Sequence, residues 1–166
     1  MNFKNIIKEI LPYIIIILVV LLVKTYVFSL IRVNGPSMEV TLLNNDIMIL
    51  DKISYRFNEI KRFDIVVVDL GDEAIIKRVI GLPGEKISYI DNNLYVNGKQ
   101  VKYDFEHAFT ENFEMTEEIP NDCYFVLGDN RLNSTDSRII GCVEKDKIVG
   151  HARYTIFPFS RFGVKK

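Results

Sequence analysis

The chain has 166 residues, with 21 lysines and arginines against 22 aspartates and glutamates, for a formal net charge of −1. That length holds one domain with a core plus one extra element, and so even a charge balance excludes the global basic field of a nucleic-acid binder. The cysteines, Cys123 and Cys142, are too few for a disulfide framework, and His107 and His151 stand far apart without ligand spacing, so neither a metal nor a cofactor is expected.

The first element in chain order is apolar. Ile10 to Val23 carries no charge; Lys24 interrupts the run and Tyr26 to Ile31 resume it. As a helix, residues 10–31 would span roughly 33 Å, about one hydrocarbon core. Pro12 stands at the expected helix start, where a missing N–H is tolerated, and Lys24 near the far end, where a long side chain reaches the headgroups. A buried core helix is the alternative, but an unbroken Ile/Val/Leu run of this length in so small a domain favours a membrane span. Arg32, Val33 and Asn34 follow where a cleavable segment would have small residues, so the span is expected to stay attached. Lys4 and Lys8 precede it with Glu9 opposing them. The positive-inside rule therefore leans only weakly toward residues 1–9 in the cytoplasm and residues 32–166 outside.

The rest reads as β structure. Asp46–Asp51, Asp64–Leu70, Ala74–Ile80, Lys86–Ile90, Leu94–Val96, Cys123–Leu127 and Gly150–Ile156 are short, branched, apolar runs bounded by polar residues. Asp91-Asn92-Asn93 and Asn97-Gly98 are hairpin and turn signals; Leu82-Pro83-Gly84 and Gly128-Asp129-Asn130 punctuate loops. Tyr103 to Pro120 is acidic and mixed, and is expected to be a surface insertion. Many short strands separated by turn signals predict a mainly β, antiparallel, barrel-like domain. Cys123 and Cys142 would pair if they lie on adjacent strands; the reading as small core residues is favoured.

Three segments carry candidate chemistry. In Val33-Asn34-Gly35-Pro36-Ser37-Met38-Glu39-Val40-Thr41-Leu42, a serine follows Gly-Pro shortly after the apolar run, on a stiff turn that can present its hydroxyl. By itself such a turn is commonplace. In the strand Ala74–Ile80, alternation puts Lys77 on one face with Ile75 and Val79, and Arg78 on the other with Ile76 and Ile80. If either face is buried, one cation lies among apolar neighbours, and a buried lysine loses its proton readily enough to act as a base. An edge strand with snorkelled charges is the alternative. On this reading Arg78, pointing away, is expected to tolerate replacement by lysine. The third segment, Gly128 to Arg138, offers hydroxyls and an Asp136–Arg138 pair, and would otherwise be a solvated loop.

Together the three segments resemble the type I signal peptidase family: Pro36-Ser37-Met38 with Thr41-Leu42, Lys77 to Gly81 with Pro83-Gly84-Glu85, and Gly128-Asp129-Asn130-Arg131 with Ser134, Asp136-Ser137-Arg138 and Gly141. The tail Phe157 to Gly163 is also similar to family members. The family usually has proline where Val40 stands, and some members have a serine at the position of Gly35. The resemblance implies the signal-peptidase and self-cleaving-repressor fold and a membrane-bound serine endopeptidase of the cell membrane. It also implies exported preproteins as substrates, cut after small residues of Ala-X-Ala type, with the lipid bilayer and the secretion translocon as further partners.

By position, the resemblance makes Ser37 the nucleophile and Lys77 the general base. It has the Ser37 N–H contribute to an oxyanion site, Ser134 orient the lysine, and Asp136 with Arg138 support the loop with Gly128, Asp129 and Asn130. Gly35, Pro36 and Met38 fall on the substrate side. Two enzyme alternatives differ in chemistry. A sortase-like transpeptidase would need Cys123, His107 and Arg138, but Cys123 sits in an apolar strand without that family's motif. A self-cleaving repressor would need a DNA-binding N-terminus in place of the apolar run. An anchored, inactive family member that only binds exported chains is the non-enzymatic alternative, and the presence of both Ser37 and Lys77 argues against it.

Overall fold

The structure, a computed structural model, describes residues 3–165; Met1, Asn2 and Lys166 lie outside the described residues, and of residues 3–7, Lys4 included, only the backbone is described. The N-terminal run forms one helix, α1 (Phe3–Tyr26). Its stretch Lys8–Tyr26 is long and apolar enough to cross a membrane, and none of it is buried against the rest of the chain.

The helix departs from the expected 10–31 at both ends. It starts earlier, so Pro12 lies inside it rather than at its start. It also stops at Tyr26, and Phe28–Arg32 forms strand β1, paired antiparallel with β2 (Ile47–Asp51) from Phe28↔Asp51 to Arg32↔Ile47. Hydropathy does not separate a helix from a strand in a short apolar run. The free edge of β2, distant in sequence, makes residues 28–32 a strand.

Beyond β2 come the short helix α2 (Ser54–Phe57) and strands β3 (Ile65–Asp69), β4 (Ala74–Gly81), β5 (Ile87–Ile90), β6 (Asn93–Val96), β7 (Lys99–Gln100), β8 (Phe113–Glu114) and β9 (Cys123–Leu127). The short helix α3 (Ser137–Ile140) and strands β10 (Val143–Glu144), β11 (Ile148–Phe157) and β12 (Gly163–Val164) complete the chain. The larger sheet has the order β1-β2-β11-β3-β4-β9-β10, with β12 also on β11; the smaller is β7-β6-β5-β8. Every pairing is antiparallel. β11 serves β2 along one edge, and β3 then β12 along the other. Register shifts within these pairings bend and twist the strand, which curls the sheet toward a half-barrel. The expected mainly β, antiparallel, barrel-like domain is what forms.

β3 explains where the core sits. Its first four residues, Ile65 to Val68, are all buried, so the strand feeds two cores. Ile65 and Val67 pack with Val33, Met38 and Leu42, while Val66 and Val68 pack with Val79, Tyr124 and Val126. A third cluster joins β5 and β6 to Ile80, Ile119 and Phe125. Asp91-Asn92 and Asn97-Gly98 close their hairpins with both residues at positive φ, the geometry that suits the twist of the flanking strands.

Two expectations are corrected. Tyr103 to Pro120 is no mere surface insertion. β8 within it pairs with β5, Thr110 and Ile119 are buried, and Tyr103, Phe105, Phe113 and Met115 pack on the β5–β6 core. A local signal existed: Val101, Tyr103, Phe105 and His107 are partly buried while Lys102, Asp104 and Glu106 are exposed. The cysteines are not independent core residues. The β9–β10 pairing sets Glu144 opposite Cys123, which brings Cys142 alongside, and the two form a disulfide across a sequence separation of 19.

That bridge encloses Gly128 to Arg138. Closing a loop of this size stabilises a fold by about 3 kcal/mol. Replacing both cysteines by serine should lower the melting temperature of the detergent-solubilised protein by roughly 10 °C, read by thermal denaturation. An unchanged melting temperature would mean that other contacts already hold the loop closed.

Candidate active site

Ser37 sits on the turn that leaves β1. Gly35 takes φ +91, a left-handed conformation open to glycine, and its N–H donates to Asn44 Oδ1 at 3.1 Å. Met38 and Leu42 plug into the core at 1% and 0% exposure, and Leu42 N–H donates to the Met38 carbonyl at 2.8 Å. These anchors leave Ser37 half-buried between the exposed Pro36 and the buried Met38. Val40, on the same turn, has φ +91. Proline is locked near −65° and cannot adopt that angle, so this turn as it stands does not accept a proline at position 40.

β4 supplies Lys77. Antiparallel pairing sets Val66 opposite Lys77 and Ile65 opposite Arg78, so the adjacent cations leave the strand on opposite faces. Lys77 is 2% exposed, and its Nζ is hydrogen-bonded to Ser37 Oγ at 2.8 Å. Burial is the largest influence on this amine and pushes its pKa below that of an ordinary lysine; the charges of Asp136, Glu73 and Asp129 oppose the shift without cancelling it. Once the amine is neutral, the same contact reverses, with the serine hydroxyl donating.

Arg78, expected to tolerate lysine, does not point to solvent. It is fully buried, with Nε and Nη2 donating to the two carboxylate oxygens of Asp129 at 2.8 and 2.6 Å and Nη1 donating to the Phe63 carbonyl at 3.0 Å. The Thr41 hydroxyl also donates to Asp129, at 2.6 Å. The pair therefore joins β4, the Ser37 turn and the loop after β9. Phe63 holds a positive φ of 75. No feature of its sequence neighbourhood marks either Phe63 or Thr41 as a partner of Arg78.

The loop after β9 closes on the same turn. Asn130 N–H donates to the Ser37 carbonyl at 3.0 Å and Asn130 Nδ2 to the Pro36 carbonyl at 3.1 Å. Gly128 lies where any Cβ would collide with that Ser37 carbonyl and with the Ser134 side chain. Asp136 accepts from Arg138 Nε and Nη2 at 2.9 and 2.8 Å and from the Gly128 N–H at 3.1 Å. Burial works against its ionisation, but the Arg138 and Gly128 hydrogen bonds outweigh it and hold the carboxyl below its usual range. Ser134 stands beside this arrangement, but the expected bond to Lys77 is not formed. Its buried hydroxyl lies near Asp136 without the geometry of a hydrogen bond to any described group. Arg131, a further member of the loop, bonds the Gly128 carbonyl at 3.0 Å and Thr110 at 2.6 Å. Among the described residues no three His, Cys, Asp or Glu side chains cluster as metal ligands would.

A serine hydroxyl hydrogen-bonded to a buried lysine whose pKa is pushed down has the geometry that a nucleophile and its base require. Residues 5–157 match the family described as signal peptidase, peptidase S26. The chain belongs to that family. It is 39% identical to signal peptidase I of Bacillus caldolyticus over 91% of each chain. It is 43% identical to signal peptidase I V of Bacillus subtilis, over 77% of this chain and 85% of the relative. The crystal structure of a signal peptidase I from Enterococcus faecalis superimposes with a TM-score of 0.51 at 33% identity, covering 57% of this chain and 97% of that one. Family membership makes the chain a serine endopeptidase that cleaves signal peptides. The sortase-like reading finds no support: Cys123, its required nucleophile, is bound to Cys142.

The Arg78–Asp129 geometry yields a direct expectation. Lysine cannot reproduce the bidentate fork, so Arg78→Lys should cost about 1–3 kcal/mol of stability for the buried acceptors, on Asp129 and the Phe63 carbonyl, that it leaves unmatched. It should also slow cleavage, both measured on the purified variant. Wild-type stability and rate together would show that the fork is dispensable.

Proposed function

We propose that Ser37 is the nucleophile and Lys77 the general base of a Ser/Lys endopeptidase that removes signal peptides from exported preproteins through an acyl-enzyme. The observation that carries this reading is the 2.8 Å contact between Lys77 Nζ and Ser37 Oγ, made by a lysine that is 2% exposed. Neutral Lys77 takes the hydroxyl proton as Oγ attacks the scissile carbonyl. The Ser37 N–H, which has no hydrogen-bond acceptor among the described residues, is free to donate to the oxyanion; Pro36 has no N–H to offer. Lys77 then returns the proton to the departing amine of the mature protein. The signal peptide stays esterified to Ser37 until Lys77 activates a water that releases it.

Asp129, Asn130, Asp136 and Arg138 act in this reading as supports. They hold the turn and the loop, and none of them touches the Ser37 hydroxyl. Ser134, whose hydroxyl makes no hydrogen bond to a described group, would act on Lys77 only if that hydroxyl turned to the amine. Gly35 and Pro36 would face the substrate, with an extended peptide adding alongside and small pockets selecting Ala-X-Ala; Met38, expected there as well, is instead buried in the core at 1% exposure and anchors the turn from beneath.

The single-pass anchor is α1, with residues 1–9 in the cytoplasm, the catalytic domain outside, the bilayer around the helix and the translocon as the source of substrate. The support is a helix whose apolar side chains, Ile10 to Val23, are exposed on every side. Such a surface needs lipid or protein around it. Protease added to intact spheroplasts should digest the catalytic domain; protection until lysis would reverse the assigned orientation.

The chemistry is tested on a preprotein in detergent. Ser37→Ala and Lys77→Arg should stay folded and lose about a thousandfold or more in rate. Because burial depresses the Lys77 pKa, the base form grows as pH rises through the lowered value. Wild-type activity should climb to a plateau with a midpoint below the roughly 10.4 of free lysine. Substantial cleavage by Lys77→Arg would refute the Ser/Lys assignment.

A further inference from the structure

The segment after β7 lies outside the ladders of both sheets, yet it reaches the centre of the site. The Phe105 ring lies over the Arg78 guanidinium, with Cζ 4.1 Å from the ring centroid. Tyr103 stacks on Phe105 at 4.7 Å and Phe63 packs against it at 5.2 Å. Phe63 is the residue whose carbonyl accepts from Arg78. Three residues on, Ala108 N–H donates to the Asp129 carbonyl at 2.8 Å. One short stretch of chain thus covers the arginine and tethers its carboxylate partner.

We propose that Phe105 is a positioning residue for the reaction, its ring sealing the Arg78–Asp129 pair and through that pair holding the Ser37 turn against β4. The proposal rests on the assignment of Ser37 and Lys77 made above. Arg78 follows Lys77 directly along β4, and Thr41, bonded to Asp129, belongs to the turn that carries Ser37. A guanidinium–carboxylate pair is strong while water is kept out and weakens as it is hydrated. An aromatic face covers a desolvated cation while still attracting it, which an aliphatic side chain does not. With the ring gone, water competes for the Arg78 donors, Thr41 loosens, and Ser37 drifts from Lys77. A misplacement of about 1 Å is enough for a hundredfold loss of rate. Lys77 faces the charges of Glu73, Asp129 and Asp136, with Arg78 next to it on the strand. Wetting of the site eases the desolvation that dominates its pKa, so the loosening is also visible in the pH profile.

The test uses the full chain in detergent micelles with a quenched peptide bearing an Ala-X-Ala site. Phe105→Leu keeps apolar bulk but removes the ring; Phe105→Met serves the same purpose should the leucine variant not fold. Either should lower kcat about tenfold or more with KM nearly unchanged, and shift the acid limb of the kcat profile upward by about half a pH unit. Phe105→Tyr, which keeps the aromatic face, should restore both. If Phe105→Leu lowers the melting temperature but leaves kcat and the acid limb as in wild type, Phe105 is only a packing residue and the proposal is overturned. A raised KM with kcat intact also overturns it, by showing a substrate contact. Lys77→Arg, assayed in parallel, separates the two readings. If it cleaves at the wild-type rate, the dyad falls and this proposal with it. If it is inactive while Phe105→Leu behaves as wild type, only the proposal falls.

Discussion

A charge taken fully out of water must be paired, and in this chain the pairing of Arg78 with Asp129 holds the other contacts of the site in place. Both side chains are wholly excluded from solvent. Breaking such a pair from one side costs about 3–5 kcal/mol, because the survivor is left buried and uncompensated. The pair therefore acts as a strong constraint on the segments that supply it. Those segments are β4, which carries Lys77, and the loop after β9. Thr41 brings in the Ser37 turn. Asn130, next in sequence to Asp129, then reaches back to the Ser37 and Pro36 carbonyls.

The same strand shows why neighbouring cations meet opposite fates. Side chains alternate along β4, so Lys77 and Arg78 enter different surroundings although one peptide bond separates them. Arg78 meets a carboxylate in fork geometry. Lys77 meets a serine hydroxyl and, among the described residues, no carboxylate within hydrogen-bonding contact, so desolvation prevails over the more distant Asp136, Glu73 and Asp129. A guanidinium in the Lys77 position could not give up its proton, and an ammonium in the Arg78 position could not make the fork. The division of labour follows from those two residue types.

Continuity of the chain joins the apolar helix to the chemistry. α1 leads within two residues into β1, and β1 leads within five into Ser37. Because β1 is paired along its whole length with β2, the Ser37 turn follows the end of the helix through a paired strand rather than a free linker. The disulfide performs a similar service at the other end of the site, closing the loop that holds Asp129, Asn130 and Asp136.

Several features were readable from the sequence alone because they depend on local pattern. Branched apolar runs marked the strands, Asn-Gly and Asp-Asn marked the hairpins, and the strand alternation put Lys77 and Arg78 on opposite faces. The three short boxes pointed to Ser37, Lys77 and the loop residues as a set. Tertiary structure decided whatever depended on partners remote in the chain. Tyr26 ends the helix because β2, twenty residues on, offers an edge to residues 28–32. Arg78 is buried because Asp129 and Thr41 arrive from other segments to meet it. Cys123 and Cys142 join because β9 pairs with β10. The 101–107 segment packs inward by alternation, but only the fold could say that Phe105 would lie on Arg78. Local periodicity specifies which face a side chain takes; it carries no information about which distant residue will fill the space before it.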